Sequence, residues 1–147
     1  MLVKGVWETF EDGVTRPLVN AHFQTGDGSW QEVAFLLDSG ADRTVLEARL
    51  LPALASLILP ATQTPQLGGV GGLVECKFAQ TRLAFTRDDG QRIVVKGPFS
   101  IFAAVESSDI SVLGRDVTNN FDVIYSFSKR EVLLLARPHD YLTQLPY

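Results

Sequence analysis

Apolar and polar residues alternate with a period of two along much of this chain, the pattern of half-buried strands. Leu2 to Phe10 and Leu18 to Thr25 read as strands separated by the turn signal Glu11-Asp12-Gly13. Gly26-Asp27-Gly28-Ser29 then closes a hairpin into Gln31 to Leu37. Cys76 to Thr86 alternates roughly, and Asp88-Asp89-Gly90 turns it back into Arg92 to Lys96. Ile101 to Val105 and Phe121 to Phe127 are further strands, and Ser128-Lys129-Arg130 turns the chain into Val132 to Leu135. Helical signal is scarce. Leu46 to Leu59 is rich in Leu and Ala, with room for a short helix or two around Pro52, and Arg115 to Asn120 for one or two helical turns. The tail from Ala136 to Tyr147 carries two prolines and reads as extended. With no repeat, low-complexity tract or linker, the expectation is an all-β, barrel-like single domain over residues 1–147, with one or two short helices.

Composition narrows the function classes. The chain is 46% hydrophobic and 20% charged, ordinary for a globular protein that buries its own core. Thirteen Lys plus Arg against 17 Asp plus Glu give a formal charge of −4, and no basic run interleaves with aromatics, so nucleic acid is not an expected partner. Cys76 is the single cysteine, which rules out an intrachain disulfide and reads as a small apolar filler. His22 and His139 are far apart, and no Cys/His cluster has metal-ligand spacing, so neither a metal nor a cofactor is expected. The first ten residues contain Lys4 and Glu8 and lack the apolar core of a signal peptide. The longest apolar run, Leu50 to Ile58, is short and contains Pro52, so no transmembrane helix is expected and a cytoplasmic protein is.

Three motifs carry candidate chemistry. In the first, the apolar run Phe35-Leu36-Leu37 delivers a lone carboxylate, Asp38, into Ser39-Gly40. Buried strands rarely end in a bare acid without a reason, and the layout suits a carboxylate held rigidly and facing a cavity. Two such carboxylates sharing a proton can hydrolyse a peptide bond, one as base toward water and one as acid toward the carbonyl oxygen. The chain has a single Asp-Ser-Gly, so a second carboxylate must come from another copy. Gly40 would let backbone approach the acid, and the Ser39 hydroxyl could fix the turn. The plain alternative is an Asx-type turn after a strand. In the second, Gly68-Gly69-Val70-Gly71-Gly72 makes a hairpin tip with one apolar contact, suited to closing over a ligand. Without a following Lys-Ser/Thr or a helix pattern it is not a phosphate loop. In the third, Ile110-Ser111-Val112-Leu113-Gly114 enters Arg115-Asp116. The expectation there is a buried Arg115 paired with Asp42, with Asp116 as second partner or helix-start residue. The alternative is a surface ion pair of about 1 kcal/mol or less.

In this order the three motifs resemble those of the retropepsins, the aspartic proteases of retroviruses and their cellular relatives. The resemblance runs from about Phe35 to Leu135. It implies a small closed β-barrel with a flap hairpin, active as a symmetric homodimer on protein or peptide substrates. Asp38, Ser39 and Gly40 would form the catalytic loop, with Asp38 of each subunit activating water. Ala41, Asp42 and Arg43 would line the cleft, and Leu36, Val45, Ile110 and Val112 would wall apolar side-chain pockets. Gly69, Val70 and Gly71 would cover an extended peptide from the flap, and Asp42, Gly114, Arg115 and Asp116 would support the site.

The chain also departs from the compact retroviral enzymes. Extra length falls before Val33, between Leu50 and Gln66, and around Asp88 to Ser108. The first thirty and last twelve residues do not copy the interleaved terminal strands by which those enzymes dimerise. Two rival readings follow: a peptide-binding module that kept the fold and lost the reaction, and an enzyme that dimerises only with a partner or at high concentration. Neither histidine has the setting of a serine-hydrolase triad, and no Gly-x-Ser-x-Gly elbow is present.

Overall fold

A computed structural model describes residues 2–60, 66–69, 72–104 and 110–138. Twelve strands dominate it: β1 (Leu2–Thr9), β2 (Thr15–Gln24), β3 (Trp30–Leu37), β4 (Val45–Leu46), β5 (Gln66–Gly69), β6 (Gly72–Ala79), β7 (Arg82–Thr86), β8 (Arg92–Lys96), β9 (Phe99–Phe102), β10 (Ser111–Leu113), β11 (Phe121–Ser126) and β12 (Glu131–Ala136). Two one-turn helices, α1 (Leu51–Leu54) and α2 (Arg115–Thr118), complete it, α1 being flanked by single 3-10 turns. Pro52 sits in the first turn of α1, where its missing N–H costs nothing. Among the described residues no helix is long and apolar enough to cross a membrane.

The sheet runs β11-β12-β1-β2-β3-β10-β4-β9-β6-β5, with β7 joined to β2 and β8 to β7. Among the described residues this is a path with open ends, not the closed barrel that the resemblance implied. Most neighbours are antiparallel, but β10 lies parallel to β3 and β4 parallel to β9. The expected strand over Cys76 to Thr86 is two strands. The Gln80 N–H turns away to the Leu57 carbonyl, and the Thr81 hydroxyl donates to the Gln24 carbonyl at 2.6 Å, so the chain changes partners there. The strand expected at Ile101 to Val105 is β9, two residues earlier; Val105 lies outside the described residues.

Alternation sets the core. Along β3, Val33, Phe35 and Leu37 are buried while Ala34 and Leu36 are only half-covered. The inward set joins Val19, Phe23, Leu46, Phe85, Leu113 and Val117 in one apolar cluster. Phe85 meets Phe121 edge to face at 5.9 Å, a favoured aromatic geometry.

Candidate active site

Four strands carry a second apolar row on the opposite face. Leu18 is paired with Leu36, Leu36 with Val112, and Val112 with Val45. Residues in register point to the same side of a sheet, so these four side chains form one stripe. Leu36 and Val112 are half-buried, whereas Leu18 and Val45 are covered within the chain. Val45 therefore backs the row and presents little surface of its own. Beside the stripe lies an open groove of about 660 Å³, lined by Leu18, Ala34, Ile110 and Phe10, with Arg16 and Glu47 at its polar wall.

Asp38 follows β3 directly, two residues past Leu36, which places both on the same side of the chain. Its N–H donates to the Leu113 carbonyl at 3.2 Å, and its own carbonyl accepts the Ala41 N–H at 3.2 Å, closing a tight turn. The Gly40 N–H donates to Asp38 Oδ1 at 2.9 Å, so the backbone fixes the carboxylate's orientation. A methyl group at Gly40 would sit 3.2 Å from that oxygen, which is why glycine suits the position. Asp38 and Ser39 are exposed, so this chain alone does not enclose the carboxylate that the sequence suggested would face a cavity.

The segment at α2 braces this turn from beneath. The Arg115 N–H donates to the Ala41 carbonyl at 2.9 Å and the Asp116 N–H to the Asp42 carbonyl at 3.2 Å. The Arg115 guanidinium pairs with the Asp42 carboxylate and reaches the Ser39 carbonyl at 3.4 Å. This is the expected pairing in an unexpected setting. The two side chains are 50% and 78% exposed, so Arg115 is not the buried cation anticipated. A one-turn helix on the surface leaves its first side chain in water, and the pair belongs to the weak surface class.

The stronger tie was not foreseen. Thr44 is fully buried, and its hydroxyl donates to Asp116 Oδ1 at 2.7 Å while accepting the Gly114 N–H at 3.0 Å. The Thr44 N–H donates to the same carboxylate oxygen at 2.9 Å. Asp116 is thus the acceptor that locks the end of the loop following Asp38 to α2. Gly114 is required by close approach, because a Cβ there would lie 2.4 to 2.8 Å from Arg43 backbone atoms. A lone threonine between Arg43 and Val45 carries no signal of this role in sequence, since its partners lie about seventy residues away.

Strands β5 and β6 form an antiparallel hairpin in which Gly69 pairs with Gly72. Val70 and Gly71, expected at its tip, lie outside the described residues. Arg43 is exposed and stands over the Phe78 ring of β6, its guanidinium carbon 6.0 Å from the ring centroid, which links the loop to the hairpin stem. Charge around the site is local. Arg16 hydrogen-bonds Asp12 and holds that carboxyl at about 2, with the Val14 N–H adding to the effect. Burial, then the Asp38 carboxylate, push the Tyr125 phenol above its ordinary value. Among the described residues no group of three His, Cys, Asp or Glu is placed to hold a metal ion.

Comparison with known proteins bears on this arrangement. Among curated proteins none matches the chain. Solved structures similar to the chain include the following two. A retropepsin-like aspartic protease from Rickettsia conorii is 18% identical, over 91% of this chain and 88% of that one, with a TM-score of 0.49. EIAV protease, in complex with the inhibitor HBY-793, is 24% identical, over 76% of this chain and 92% of that one, with a TM-score of 0.46. The family model of the retroviral aspartyl protease matches residues 14–124. That match begins upstream of Phe35, where the motif resemblance starts, so it takes in β2, and it stops short of β12. It spans the Asp38 turn, the glycine hairpin and the Gly114-Arg115-Asp116 brace, and on that match the chain belongs to the retroviral aspartyl protease family.

Proposed function

We propose that this protein is an aspartic endopeptidase, a single domain that works in the cytoplasm as a symmetric homodimer. The observation that carries the reading is the Asp38 turn: one carboxylate per chain, exposed, oriented by the Gly40 N–H and braced through Ala41, Asp42 and Thr44 to α2. A rigid acid that its own chain leaves uncovered is half of a two-carboxylate site. In the dimer the two Asp38 groups share one proton, because like charges at close range do not both ionise readily. The ionised member takes a proton from water as the water attacks the scissile carbonyl carbon. The protonated member gives its proton to the carbonyl oxygen. This division of labour is that of aspartic proteases at large.

In this reading the apolar stripe, the loop after Asp38 and the glycine hairpin share the binding of substrate. Leu36, Val112 and Ile110 offer apolar surface on the floor, which favours apolar side chains next to the scissile bond. Ala41, Asp42 and Arg43 present the loop to the peptide backbone and flanking side chains. The hairpin bearing Gly69, Val70 and Gly71 lies over an extended peptide, held mainly by main-chain hydrogen bonds. Ser39 contributes its hydroxyl across the subunit boundary, and Asp42, Gly114, Arg115 and Asp116 hold the loop. Digestion of a denatured-proteome peptide mixture by the parent protein and by Asp38→Asn, from mildly acid to neutral pH, tests the reading by mass spectrometry. Cleavages made by the parent alone support it; equal cleavage by both proteins, or none by either at any concentration, refutes it.

A further inference from the structure

A hollow of about 360 Å³ opens where β2, β6 and β8 end and β7 begins. Its polar wall is built from Gln24, Gln80, Thr81, Arg82 and Lys96, and none of its lining residues belongs to the Asp38 site. The backbone fixes this wall. The Gln80 N–H donates to the Leu57 carbonyl at 2.9 Å, the Thr81 hydroxyl to the Gln24 carbonyl at 2.6 Å, and the Gly97 N–H to the Thr81 carbonyl at 2.8 Å. The Gln24 amide donates to the Gly28 carbonyl at 3.2 Å and the Gln80 amide to the Gly97 carbonyl at 2.8 Å. Each amide keeps a second N–H to offer.

Two cations stand on this wall without a counter-charge. Arg82 and Lys96 are exposed and directly opposite each other in the β7–β8 register, and like charges so placed repel. Among the described residues no carboxylate lines the hollow, although the chain's formal charge is −4. Asp27, in the turn that forms one rim, is taken up by the Thr25 and Ser29 hydroxyls and the Ser29 N–H, and it lines a neighbouring hollow instead. Every other arginine of the chain pairs with a carboxylate or lies over an aromatic ring; among the described residues Arg82 has neither partner. Protection of an open sheet edge accounts for a lysine on β8, but not for Arg82, because β7 has a neighbour on both sides. A guanidinium fork, an ammonium and two amide N–H groups around a space of this size match an oxyanion with two negative charges, with room left for water. A single carboxylate would leave one cation uncompensated. We propose that this hollow binds a phosphate dianion, either free or carried on a phosphorylated side chain, through Arg82 and Lys96.

Titration of the isotope-labelled parent with inorganic phosphate, at about pH 8 where phosphate carries two charges, tests this by the shifts of its amide resonances at constant ionic strength. The expected result is saturable shifts centred on residues 80–82 and 96–97, with a dissociation constant of about 10 mM or tighter. That constant should rise at least about tenfold in Arg82→Gln and in Lys96→Gln, each of which removes a charge-assisted bond. Arg92→Gln is the control, an exposed cation of the same hairpin that lies over Trp30, and it should keep the parent's value. Chloride and acetate at the same ionic strength should not saturate these resonances. If a variant does not fold, the parent's own shift map decides: saturation confined to these residues supports the site, and shifts elsewhere or none overturn it. An unchanged constant in folded Arg82→Gln, or an equal response to chloride or acetate, also overturns it. A phosphoserine tripeptide and its unphosphorylated form separate the two sources. Binding tighter than that of inorganic phosphate assigns the site to a phosphorylated side chain, equal or weaker binding assigns it to the free ion, and either supports the site. Every readout is independent of peptide cleavage.

Discussion

Replacing Thr44 by Val isolates the tie between the loop following Asp38 and α2. Threonine and valine have nearly the same volume, so no cavity opens at this fully buried position and the loss is polar. The Gly114 N–H, buried and 3.0 Å from the threonine oxygen, loses its acceptor, which costs about 1–3 kcal/mol. The hydroxyl's 2.7 Å bond to Asp116 is charge-assisted, but Asp116 is exposed and water replaces it in part, so about 1 kcal/mol is the appropriate share. The Thr44 N–H keeps its own 2.9 Å bond to that carboxylate. The sum is about 2–4 kcal/mol, or roughly 5–15 °C in melting temperature for a chain of this length. Thermal and denaturant unfolding at one fixed protein concentration, with parent and variants all in an Asp38→Asn background, measures it. Thr44→Ser keeps the hydroxyl and should retain most of the stability. A loss below about 0.5 kcal/mol in Thr44→Val would refute the claim that this hydroxyl locks the loop.

Other expectations follow from neighbouring contacts. Gly114→Ala drives a methyl group into Arg43 backbone atoms 2.4 to 2.8 Å away, so unfolding should show a loss of about 3 kcal/mol and cleavage should fall with it, because the loop that carries Asp38 must shift. Arg115→Gln breaks an exposed pair and should change stability by no more than about 1 kcal/mol, less still at high salt; a much larger loss would mean that the pair is buried. In an NMR titration the Asp12 carboxyl should titrate at about 2, against an ordinary 3.8. Because the folded value is depressed, its contribution to stability is present above the ordinary value and is lost as pH falls through about 2. Arg16→Gln should move that midpoint back up.

Much of this fold is legible in the chain because its signals are local. The turns at Glu11-Asp12-Gly13 and Asp88-Asp89-Gly90 depend on glycines that adopt positive φ, 78° and 81°, and composition alone marks them. Strand β8 falls on Arg92–Lys96 as the alternation predicts. What composition does not mark is set by distant partners. Alternation runs on through Gln80 and Thr81, and only the carbonyls of Leu57 and Gln24 show that one apparent strand is two. The Asp42–Arg115 contact was legible because both groups carry charge. The exposure of Arg115 was not, because an apolar strand leading into a helix looks the same whether that helix is covered or lies at the surface. Thr44 was invisible for a related reason: a buried hydroxyl reveals its role only when Gly114 and Asp116 stand beside it.

The central claim is that each subunit supplies one carboxylate to a single shared site. Mixing parent protein with Asp38→Asn under conditions where subunits exchange tests it directly. In an equal mixture about one quarter of the dimers carry two intact carboxylates, so peptide-cleaving activity should fall to about one quarter of that given by the same total amount of parent protein. Activity that falls only to one half, in proportion to the parent fraction, would mean that each chain works alone and would contradict the shared site.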